Sequence, residues 1–135
     1  MRRIIAIILI LTCVTAMTAC GRAGAGGDNM ENVDFTVVDR GDIPQQLSDT
    51  IEERREAEFE ISANIDGYTY LAKGYGQQAT GGYSIRVDEL KSDGKEMVFK
   101  TTLIGPSAGE AVNKLATYPY IVIKTELTED NISFD

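Results

Sequence analysis

Gly67-Tyr68-Thr69-Tyr70-Leu71-Ala72-Lys73 and, after a glycine-rich break, Tyr83-Ser84-Ile85-Arg86-Val87-Asp88 decide the fold class, because both stretches alternate residue by residue. Successive side chains of an extended chain point to opposite faces, so a period of two marks strands rather than helix. Tyr68, Tyr70 and Ala72 share one face of the first strand, and Thr69, Leu71 and Lys73 share the other. In the second, Tyr83, Ile85 and Val87 oppose Ser84, Arg86 and Asp88. Further on, Lys91-Ser92-Asp93-Gly94 reads as a turn into a strand from Met97 to Ile104, where Thr101 and Thr102 keep the β-prone composition. A last strand runs from Tyr118 to Leu127, and its Ile121-Val122-Ile123 run reads as buried on both faces. A fifth strand is expected near Phe35-Thr36-Val37-Val38 or at Phe59 to Ile61.

Working back toward the N-terminus, the periodicity changes. Asp42 reads as an N-cap, with Pro44 in the first turn and Gln45 as the capping-box partner. Ile43, Leu47 and Ile51 then recur every four residues beside the charged run Glu52 to Glu56, which predicts an amphipathic helix from about Ile43 to Ala57 whose charged back is solvated or, as the alternative, a partner-binding face. The expected fold is therefore α+β: mainly β with one N-terminal helix, a small antiparallel β-sandwich or half-barrel spanning residues 33–135.

The start of the chain reads differently. Arg2 and Arg3 precede an uncharged run from Ile4 to Leu11, the charged and apolar regions of a secretory signal. From Ile4 to Ala19 there are 16 residues, fewer than the ~20 a membrane-spanning helix needs. Met17-Thr18-Ala19-Cys20 has the pattern of a lipobox, which implies cleavage between Ala19 and Cys20 and a diacylglyceryl group on Cys20. Two acyl chains anchor stably where one binds only marginally. Residues 20–32, with Gly21, Gly24, Gly26 and Gly27, read as a flexible tether that sets the domain roughly 20 Å from the bilayer. The expected address is the exported side of a bacterial cell membrane, with contact to lipid through the N-terminal anchor alone.

Composition narrows the chemistry. The chain of 135 residues has no histidine, and its two cysteines are Cys13, inside the signal, and Cys20, at the lipid site. The mature domain therefore lacks a thiol or imidazole for nucleophilic triads, for disulfides or for His/Cys metal sites. With Arg2 and Arg3 removed, 11 basic residues face 21 acidic ones, a balance that argues against nucleic acid as a partner. Neither a catalytic residue, a metal site nor a cofactor is expected. Paired carboxylates remain as a hydrolase alternative without a spacing that singles any pair out.

Strand order carries the functional reading. If the four main strands run up and down, the connection Gly76 to Gly82 and the connection Gly105 to Thr117 project from the same end, beside Tyr118 and Pro119. The candidate contact residues are Gln78, Thr80, Gly81, Gly82, Tyr83, Pro106, Ser107, Tyr118 and Pro119, with Gln78 and Thr80 read as exposed and Gly82 as a positive-φ glycine. The opposite end carries the charged turn at Lys91 to Lys95.

Gly74-Tyr75-Gly76-Gln77-Gln78-Ala79-Thr80-Gly81-Gly82-Tyr83-Ser84-Ile85, followed by Gly105-Pro106 and by Tyr118-Pro119-Tyr120-Ile121-Val122-Ile123-Lys124, resembles the PrcB C-terminal domain over about Tyr68 to Thr125. That resemblance implies a non-catalytic lipoprotein subunit that associates with and stabilises an exported protein, a surface protease complex. A weaker likeness is to chagasin-type cysteine-protease inhibitors. Gln78-Ala79-Thr80-Gly81-Gly82-Tyr83 keeps the Thr, the second Gly and the Tyr of their first binding loop, lacks its Asn-Pro, and has Ser84 in place of its Trp. It implies the alternative of a protease inhibitor working through clustered loops.

Overall fold

The computed structural model describes residues 29–135. The expected signal peptide, the expected cleavage and lipidation site at Ala19 and Cys20, and the glycine-rich part of the expected tether lie outside the described residues. Among the described residues, eight strands form two four-stranded sheets, backed by one α-helix. The strands are β1 (Glu31–Asn32), β2 (Thr36–Val37), β3 (Glu58–Ile65), β4 (Tyr68–Tyr75), β5 (Ser84–Ser92), β6 (Met97–Ile104), β7 (Tyr120–Thr125) and β8 (Ile132–Phe134), and α1 spans Gln45–Arg54. One sheet has the order β1-β5-β6-β8 and the other β2-β7-β4-β3. Every pairing is antiparallel except β6 with β8, which is parallel. The result is an α+β sandwich and not a closed barrel.

Two cores explain why β4 and β7 sit at the centre. On one face of their sheet, Ile43, Leu47 and Ile51 pack with Phe59, Tyr70, Ala72 and Val122. On the other, Leu71 and Ile123 meet Leu90, Met97 and Phe99 of the facing sheet. Val122 and Ile123, neighbours in sequence, thus point into different cores, as the Ile121-Val122-Ile123 run implied. β4 goes further than its alternation suggested, because Thr69 to Gly74 are buried without interruption.

The helix keeps its predicted stripe but not its predicted start. Residues before proline are pushed out of the helical region, and Ile43 is extended at φ −70°, ψ 129°. Asp42 belongs instead to a 3-10 turn over Arg40–Asp42, and no side-chain cap forms at Pro44. Gln45, expected to complete a capping box, donates its amide to Asp49 at 2.7 Å. Glu31 and Asn32, at the end of the expected tether, already pair with Ser92 and Lys91 of β5. Lys91 and Ser92 themselves extend β5, so the turn begins at Asp93, whose carboxylate accepts from the N–H groups of Lys95 and Glu96 at 2.8 Å each.

The strands do not run up and down in one sheet. The β4–β5 and β6–β7 connections both cross from one sheet to the other. Their common end is nonetheless as expected, because it depends only on strand direction: Gly74 pairs with Tyr120 and Ser84 with Ile104. Both crossing loops leave from that end.

Candidate functional site

The two crossing loops are held to each other. Gln78 and Thr117 exchange backbone hydrogen bonds of 2.8 and 3.0 Å, Gly81 N–H donates to Asn113 O at 2.7 Å, and Thr117 Oγ1 donates to Thr80 O at 2.7 Å. Gly82, at φ +87°, is where the loops pack most tightly: a Cβ there would lie 2.8 Å from Val112 Cγ1 and 3.0 Å from Pro106 Cβ. Its positive φ is as expected from the sequence, and the packing gives it a second reason to be glycine.

The C-terminal end of α1 closes the third side. Arg55 lies over the Tyr118 ring at 4.6 Å and Arg40 over Tyr120 at 4.6 Å, both within cation–π range. Glu52 pairs with Arg55 at 3.3 Å, and Glu56 O accepts from Gln77 N–H at 3.2 Å. These contacts form an open groove of about 380 Å³ floored by Gly81, Gly82 and Tyr83 and walled by Arg55, Tyr118 and Tyr120. Leu115, 67% exposed, adds an apolar side chain on the second loop.

Of the residues singled out in the sequence, Gly81, Gly82, Tyr83, Tyr118 and Pro119 line this groove. Gln78 and Thr80 do not project freely. Both are half-buried, Gln78 donating its amide to Tyr75 O at 3.1 Å and Thr80 its hydroxyl to Gly81 O at 3.0 Å. Their side chains shape the loop. Pro106 packs beside Gly82, and Ser107 is exposed in a local turn with Glu110. Arg40 is not singled out in the sequence, and the pairing of Arg40 and Arg55 with tyrosines is not legible there, since nothing local in the chain links an arginine beside a helix to a tyrosine far along the sequence. Among the described residues, no group of three or more His, Cys, Asp or Glu is placed to hold a metal ion.

Beside this end lies Lys73, buried between the sheets but ion-paired to Glu58 at 2.7 Å and Glu60 at 3.0 Å. Burial by itself lowers its pKa. The hydrogen bonds and charges of the two carboxylates outweigh that and hold the ammonium above the ordinary lysine value, since an opposite charge at contact favours the charged form. Next to it, Tyr75 and Thr101 join their hydroxyls at 2.5 Å across the two sheets.

In class, then, this is a helix-backed β-sandwich with a built loop end and with no metal-ligand cluster among the described residues. The family model described as PrcB C-terminal matches residues 69–126, which bears out the resemblance read from Tyr68 to Thr125. The match takes in β4 to β7 and both crossing loops, and leaves α1 and β3 outside. No curated protein and no solved structure gives a match.

Proposed function

We propose that the protein is a membrane-anchored, non-catalytic binding module that holds and stabilises an exported partner, a protease or protease complex, at its loop end. The observation that carries this is the locking of two loops from different sheet crossings into one surface, with Arg55, Leu115 and Tyr118 presented on it. Preorganised loops lose little entropy on binding, and tyrosine and arginine dominate interface energetics. The partner class comes from the resemblance to PrcB subunits, and the membrane address from Met17-Thr18-Ala19-Cys20. A second reading, protease inhibition, is favoured by the same clustering of three segments at one end.

The test is crosslinking on intact cells with the wild type and with an Arg55→Ala/Leu115→Ala/Tyr118→Ala variant. The expected result is loss of one defined crosslinked partner while circular dichroism shows the domain still folded. Equal capture by the variant overturns the loop-end assignment. A stabiliser lengthens the captured enzyme's lifetime, whereas an inhibitor lowers its turnover. Cys20→Ala is expected to abolish acylation and leave the protein uncleaved or released; normal maturation and attachment in that variant would overturn the lipoprotein reading.

A further inference from the structure

Among the described residues, β3 is an eight-residue strand at the end of its sheet, paired to β4 on one side only. The other strands that end a sheet are two or three residues long. Short edges are the usual protection against further pairing, and β3 does not have it.

The register shows which backbone groups are open. A two-residue turn joins β3 to β4, and both of its residues, Asp66 and Gly67, have positive φ. That is the geometry of a type I′ hairpin. In such a hairpin the closing pair, here Ile65 and Tyr68, exchanges both hydrogen bonds, and pairs then alternate. The N–H and C=O groups of Asn64, Ser62, Glu60 and Glu58 therefore point away from β4. Tyr75 confirms the parity: it sits opposite Glu58, yet its N–H donates to Pro119 O across the β7 side at 3.1 Å.

Side chains along this edge are sorted by face. Phe59, Ile61 and Ile65 lie on the helix side, packed in or against the helix-side core. Glu58, Glu60, Ser62 and Asn64 lie on the other face and are exposed. Where β3 begins, a groove of about 640 Å³ between the end of α1 and the strand is lined by Glu53, Glu56, Glu58 and Glu60 against one cation, Arg54. Lys73 satisfies one oxygen of Glu58 and one of Glu60, and both carboxylates remain largely accessible.

From this geometry we infer that the free edge of β3 is a strand-addition site for an extended segment of a partner protein, one that alternates apolar and basic residues. Main-chain pairing with Glu58, Glu60, Ser62 and Asn64 supplies the affinity, as in β-augmentation generally. The apolar residues of the incoming strand continue the Phe59–Ile61–Ile65 stripe, and its lysines or arginines meet Glu58 and Glu60. A second copy of this chain fits less well, because it brings its own acidic residues to an acidic edge. The inference does not depend on the loop-end reading, with which it shares only Glu56.

The probe is a fluorescent eight-residue peptide alternating valine and lysine, titrated into the full-length chain, with a valine–glutamate peptide as control. The lysine peptide is expected to bind, to slow amide exchange at Glu58, Glu60, Ser62 and Asn64, and to weaken as salt rises. Ser62→Pro, which removes one outward N–H from an edge strand, should weaken it about tenfold or more while Ser62→Ala does not. An N-methylated lysine peptide, unable to donate at alternate amides, should fail equally and does not depend on the proline variant folding. No binding, equal binding of the glutamate or N-methylated peptide, or protection confined to residues outside β3 overturns the assignment. So does protection of those four amides before peptide is added: if independent of protein concentration, the chain covers its own edge; if concentration-dependent, the occupant is a second copy.

Discussion

Gly74 shows how a single atom is decided by its neighbour. A Cβ at this position would overlap the ring of Phe59, 2.6 Å from Cζ and closer still to Cε1, because that ring lies across β4 at the register pair Phe59–Gly74. The need here is space, in contrast to Gly82, where positive φ and close packing act together. Gly74→Ala is therefore expected to displace the ring and cost roughly 1–3 kcal/mol, as overpacking does, read as a lower urea midpoint at constant slope. Gln78 gives the opposite kind of correction. A glutamine in a glycine-rich loop reads as a solvent-facing contact, but its amide is tied to Tyr75 O. Gln78→Ala should cost about 1 kcal/mol of stability through that lost hydrogen bond, whereas Leu115→Ala, at an exposed site, should leave the melting temperature within error. Matching melting curves for the two variants would show that Gln78 is not structural.

At the scale of elements, β3 and β8 join β1 among the strands that were hard to read. Asp66-Gly67 is among the dipeptides most typical of a two-residue hairpin, and it lies between Ile65 and Tyr68. Its signal announces that Phe59 to Ile61 is the first half of a full strand, β3, and not a short supplement. β8 left no comparable trace, because so short a strand after a polar loop holds no periodicity. Its role is tertiary: Phe134 meets Phe99 edge-on at 5.8 Å, and Asp135 N–H donates to Phe99 O at 2.9 Å. Removing residues 132–135 should uncover Met97 and Phe99, turn β6 into an edge, and cost about 2–4 kcal/mol from the apolar area exposed. Thermal unfolding followed by circular dichroism checks this; an unchanged midpoint would mean that β8 caps the core without stabilising it.

For the molecule as a whole, charge sets the limits of stability. Thr102 and then Arg86 hydrogen-bond the Asp88 carboxylate, and the backbone N–H groups of Glu96 and Lys95 hold that of Asp93, so both lie below the ordinary value of 3.8. A lowered folded-state pKa contributes stability that is present above 3.8 and lost as pH falls through the folded value. Lys73 has the reverse sign: raised above 10.5, it contributes fully below that pH and loses its contribution as pH climbs through the raised value. With no histidine in the chain, urea midpoints should be level near neutrality and fall at both ends. Asp88→Asn/Asp93→Asn should flatten the acid limb, and an unchanged limb would assign it to other carboxylates. What the sequence determined alone was everything set by local periodicity and chain direction: the strands β4 to β7, the buried stripe of α1, the double burial at Val122 and Ile123, and the common end of the two crossing loops. The partition into two sheets, the placing of Arg55 over Tyr118, the inward turn of Gln78 and the open edge of β3 came only from tertiary structure. Each depends on contacts between residues distant in sequence, where neither alternation nor spacing carries information.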